Sequence, residues 1–166
     1  MLALVQTLFD IALLRKGPEH IPRSSMLLVV VIVFWVFAVL CQVVLIPRID
    51  ESDFIYEVFS ALVGVTCYSA VIIGFGHGPR LTQTITALLG CGALLAIIFA
   101  LVFVILQAIG SQLMALLAVW GIVLWSVSIK GHIISRAIDR HWYLGLAIAV
   151  SVFILQHVVH AYVSGG

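Results

Sequence analysis

Five long apolar runs separated by short polar breaks dominate this chain. They cover roughly 26–46, 56–75, 83–107, 113–131 and 142–163, each near the ~20 residues a helix needs to cross the hydrocarbon core of a bilayer. Pro47 and Arg48 close the first run. "GFGHGPR" at 74–80, with three glycines and a proline, closes the second. "QAIGSQ" at 107–112 makes a tight turn between the third and fourth, and "IKGHIISRAIDRHW" at 129–142 leads from the fourth to the fifth. The second run begins close to Glu57, which places that carboxylate in the first turn of its helix, where negative charge is favourable.

The opening "MLALVQTLFDIALL" is too short to cross. Gln6, Thr7 and Asp10 share one helical face, while Leu4, Val5, Leu8 and Leu13 are apolar. That is the pattern of a helix lying flat in the membrane surface, over residues 1–16. In the linker at 17–25, Pro18 and Pro22 forbid a continuous helix. The pattern predicts an all-α fold: a polytopic membrane helix bundle, with five transmembrane helices over 26–163 preceded by a short amphipathic interfacial helix. Small-residue spacings, Ser60 with Gly64, Gly90 with Gly92, Ala96 with Ala100 and Gly145 with Ala149, mark faces where helices can approach closely.

Composition agrees with this class. Charged residues make up 9% of the chain and mean hydropathy is +1.28, against ~25% charged in soluble domains. The formal net charge of +1 excludes the basic character that nucleic-acid binding requires. Cys41, Cys67 and Cys91 are dispersed within apolar runs, so neither a disulfide framework nor a metal finger is expected. The first fourteen residues lack a basic region and no small-x-small site follows, so no cleavable signal peptide is expected.

Charge then orients the spans. With the N-terminus in the cytosol, the inner segments collect Arg15, Lys16, Arg23, Arg80, Lys130, Arg136 and Arg140, and the outer segments hold only Arg48. Such a bias is the positive-inside pattern, with five spans and an external C-terminus. Asp50, Glu51, Asp53 and Glu57 fall outside. In "IKGHIISRAIDRHW", His132, Arg136 and Arg140 follow each other at four-residue spacing, with Asp139 placed to pair with Arg136. With Arg15, Lys16, Arg23 and Lys130 they make a basic rim suited to anionic lipid or a protein partner.

Chemistry is sparse elsewhere. There is no GxSxG, GxxxxGK[ST] or HExxH. Glu57 and Gln42 are polar residues near the outer ends of their spans and form a possible ion site. His157 and His160, three apart, are weak candidates for a metal site with Glu57 as a third ligand. A haem held by two histidines needs ligands at matching depth on facing helices. His20, His77, His132 and His141 lie at the opposite end from His157 and His160, so no cofactor is expected.

Five spans behind a short N-terminal segment, with "LWSVSIKGHIISRAI" and "HWYLGLAIAVSVFIL" on and after the fourth, resemble the YIP-domain family. Trp125 and the Arg136-Ala137 step carry most of the likeness, and "FDIALLRKGPEHIP" is similar to small bacterial inner-membrane proteins grouped near that family. In place of the DLYGP-type motif of eukaryotic members stands only "KGPEHIP". The resemblance implies a non-enzymatic accessory or scaffold protein of a bacterial inner membrane, organising lipid or a membrane or cytosolic protein partner. Two alternatives are a small transporter or channel using Glu57 and Gln42, and a metal- or haem-binding redox subunit.

Overall fold

A computed structural model describes residues 2–46, 51–110 and 112–164. Pro47, Arg48 and Asp50, assigned to the break after the first span, lie outside the described residues. Those described contain six α-helices and no strand: α1 (Leu2–Ala12), α2 (Ser25–Leu45), α3 (Glu51–Gly74), α4 (Leu81–Ile109), α5 (Gln112–Ala137) and α6 (Trp142–Ser164). Helices α2 to α6 are long and apolar enough to cross a membrane. The chain is an all-α membrane helix bundle.

Two boundaries differ from the sequence pattern in ways that matter. Helix α3 begins at Glu51, so Glu57 sits in its second turn instead of at its start. Helix α5 continues to Ala137 instead of stopping near 131. The polar letters of 129–137 hide a buried face: Ile129, Ile133, Ile134 and Ala137 are almost fully covered. That packing carries the helix on until Asp139 adopts a left-handed conformation, φ 50°.

The starts of α2, α4 and α6 and the ends of α1, α3 and α5 meet at one end of the bundle, here called the basic end. Ser24 caps α2 there by accepting the Leu27 N–H at 3.3 Å. Three helices stop there by the same left-handed closure, at Leu14, Gly76 and Asp139. In each, the next amide reaches back to a carbonyl five residues earlier: Arg15 to Asp10 (2.9 Å), His77 to Ile72 (3.0 Å) and Arg140 to Ser135 (3.0 Å). Glycine is the usual residue for this turn, and Leu14 adopts it at a cost of roughly 1–2 kcal/mol. It also packs on the core.

Helix α2 packs along α4, α4 along α5 and α5 along α6, while α3 lies chiefly on α6. The α5–α6 contact is backbone on backbone: a methyl group on Gly145 would strike the Gly131 carbonyl and the main chain of Ser135. The core lies toward the basic end and includes Leu8, Ile11, Tyr68, Ile72, Cys91 and Ile133. In the far half, no residue described at 54–63, 113–126 or 153–159 is buried.

The amphipathic pattern finds its helix in α1, and protein covers Leu8 and Ile11 on its apolar side. Leu8 enters the space left by the absent side chain of Gly90. The Leu8 carbonyl accepts from Cys91 Sγ at 3.6 Å and the Ala12 carbonyl from Trp125 Nε1 at 3.2 Å. Cys91 lies ten residues into α4 from Leu81, and Trp125 twelve residues from Ala137, about 15–18 Å along the helix axes. Val5, Phe9 and Leu13 remain exposed on the other side.

Candidate functional site

Most of the basic side chains singled out in the sequence are engaged in holding the basic end together. Lys16 Nζ lies 2.7 Å from Asp10 Oδ2 and closes the end of α1. The hydrogen bond from Lys16 holds the Asp10 carboxyl below the usual carboxylate range. Arg23 Nε donates to Gln83 Oε1 at 3.2 Å, and Gln83 Nε2 donates to the Ile21 carbonyl, so the linker is tied to the first turn of α4. His132 is buried, with Nε2 3.1 Å from the Lys16 carbonyl. A carbonyl only accepts, so Nε2 carries the proton.

Arg80 does more than orient the spans. It donates to the carbonyls of Arg136 and Ala137, both at 3.3 Å, satisfying acceptors that the end of α5 leaves open. The same nitrogen lies 2.7 Å from Asp139 Oδ2, and His77 Nε2 lies 3.5 Å from that oxygen. Asp139 therefore pairs with Arg80, not with Arg136 as its spacing suggested. Arg80, then His77, keeps its carboxyl below the ordinary range. The sequence signal was an acid among bases at 139; its partner comes from the loop between α3 and α4.

Among the described residues, three guanidinium groups stay uncommitted. Arg15, Arg136 and Arg140 are exposed, and no described carboxylate lies within ion-pair distance of them. Trp142 and Tyr143, two and three residues after Arg140, are also exposed, Tyr143 by 78%. His132 does not join Arg136 and Arg140 in an exposed stripe, because it is buried against the segment that follows α1. Lys130 lies seven residues before the end of α5 and is half-buried.

Gln42 Nε2 donates to the Ala96 carbonyl at 3.1 Å and clamps α2 to α4. Glu57, on α3, makes no ion pair with another described residue. His157 Nδ1 donates to the Phe153 carbonyl at 2.9 Å, and its ring centroid lies 4.2 Å from that of Phe153. The side chain of His160 lies outside the described residues. Among the described residues no group of three His, Cys, Asp or Glu side chains could hold a metal ion.

No family model, curated protein or solved structure matches this chain.

Proposed function

We propose that the protein is a non-enzymatic membrane accessory protein whose basic end gathers anionic lipid head groups. One observation carries this reading: Arg15, Arg136 and Arg140 are exposed and unpaired, whereas Lys16, Arg23, Arg80 and His132 are engaged inside the fold. A guanidinium fork suits a phosphate head group. Trp142 and Tyr143 supply amphipathic rings of the kind found at the head-group level. The five-span pattern and its likeness to YIP-domain proteins support a role without turnover. The bias of basic residues supports a cytosolic basic end in a bacterial inner membrane.

Retention of phosphatidylglycerol over phosphatidylcholine by the purified protein, read by native mass spectrometry, tests the proposal. Each basic residue near the surface contributes ~1 kcal/mol to attraction of anionic lipid. Replacing both Arg136 and Arg140 by Glu should weaken retention on the order of 30-fold, and raised salt should weaken it in the parent. Equal retention by parent and variant would sink the reading. Loss of a co-purifying protein, with lipid retention unchanged, would make the rim a protein-docking surface instead.

A further inference from the structure

Helix α1 meets its neighbours far from their ends. Leu8 occupies the gap at Gly90, and its carbonyl accepts from Cys91 Sγ at 3.6 Å. A methyl group on the adjacent Gly92 would touch Trp35 of α2 at 3.8 Å. Cys91 and Trp35 each lie ten residues from the basic end of their helix, about 15 Å along the axis. From that level the chain climbs outward. The Lys16 carbonyl meets His132, five residues before the end of α5, and the Ile21 carbonyl meets Gln83, two residues into α4. Those levels are about 8 Å and about 3 Å from the basic end.

Helices α4 and α2 fix where the bilayer sits around this path. Helix α4 has 29 residues, about 43 Å, which matches the ~40–45 Å of a bilayer with its head groups. The ~30 Å hydrocarbon core then begins about 6–7 Å inside each end, and Leu8 lies roughly 8 Å within it. Sliding the bundle outward until α1 rests on the surface of that core fails on α2. Met26, Val29 and Val33 lie between Ser25 and Trp35 and are 78%, 58% and 63% exposed. Water would then cover them. Only residues 36–45 of α2 would stay in the core, about 15 Å, half of what a span needs.

We propose that α1 is a re-entrant membrane helix, held in the basic half of the bilayer with Val5, Phe9 and Leu13 against lipid acyl chains. These three side chains are about half exposed and follow one another at four-residue spacing, turned away from Leu8 and Ile11. Non-helical backbone is tolerated at membrane depth only where protein satisfies it, and the return to the basic end meets that condition. Trp125, His132 and Gln83 bond the carbonyls of Ala12, Lys16 and Ile21, while Gly17, Pro18 and Ile21 are buried. Asp10, the charged residue of α1, is paired with Lys16 at 2.7 Å, as a charge carried into a bilayer requires. Gln6 is exposed beside the apolar row, and an uncharged amide costs far less in lipid than a charge.

The test uses the full chain in phosphatidylcholine vesicles. With Cys41, Cys67 and Cys91 replaced by alanine, nitroxide labels are placed singly at Phe9→Cys, Leu124→Cys and Tyr143→Cys. Leu124 is 64% exposed on α5 beside Trp125, and Tyr143 is exposed at the basic end. Power saturation should give the Phe9 label the same ratio of oxygen to nickel-chelate accessibility as the Leu124 label, severalfold above that of Tyr143. A ratio equal to that of Tyr143 would overturn the proposal in favour of a surface helix. Low accessibility to both reagents would overturn it too, since protein would then cover the face. The unaltered chain supplies a second reading. A diazirine dissolved in the acyl region should label residues 2–14 as heavily as residues 26–37, and absence of label from 2–14 would refute the re-entrant placement.

Discussion

At the scale of single residues, Asp139 combines two features that only the folded chain brings together. Its left-handed backbone ends α5, and its carboxylate holds Arg80 from the preceding loop. Because Arg80 and His77 depress its proton affinity, the link is intact above the ordinary carboxylate range and is lost as pH falls through that depressed value. The protection factor of the Arg140 amide against exchange should therefore fall in acid, as pH drops through that depressed value. Asp139→Asn tolerates the same backbone conformation and should abolish that acid dependence. An unchanged exchange profile in the variant would show that the ion pair does not hold the loop. The effect on global stability should be small, since Asp139 is 61% exposed. The sequence exposed the acid at 139 but not its partner, because loop-to-loop pairing has no periodic signature.

At the scale of elements, α1 is held by packing into a gap and by side chains that reach its carbonyls. Leu8 is 3% exposed, and truncating a buried leucine typically costs about 2 kcal/mol or more. Leu8→Ala should raise amide exchange across 4–14 severalfold while leaving α4 and α5 protected. Gly90→Ala should do the same, because its new methyl group meets Leu8 Cδ2 at 2.7 Å. In the double variant the added methyl fills part of the space that Leu8→Ala vacates, so the two effects should be less than additive. Strict additivity would place the contact elsewhere. The α5–α6 contact is less forgiving, since backbone cannot turn aside. Gly145→Ala should lower the yield and melting temperature of the folded protein far more than Ala147→Gly at an exposed position of the same helix. Hydropathy located both helices, but the amphipathic pattern of α1 does not distinguish lipid from a protein groove, since both are apolar.

At the scale of the whole molecule, the bundle is closed at one end and open at the other. Helix α1, the linker and the engaged basic residues fill the basic end, whereas the far halves of α3, α5 and α6 carry no buried residue among those described. Spin labels at Met114 and Tyr162 should give a broader distance distribution than labels at Arg136 and Tyr143, which flank the α5–α6 turn. Equal widths would mean that the far half is as tightly held as the core.

The sequence alone determined the helical class, the number of spans and the turns between them. Each follows from local rules: apolar length against bilayer thickness, and breaks at glycine and proline. The tertiary structure decided where α1 packs, which basic residues are engaged and which remain free, and that Gln42 clamps α2 to α4. Those outcomes depend on contacts between residues far apart in the chain. Gly90 and Gly145, which read in sequence only as small residues, set how closely the helices approach.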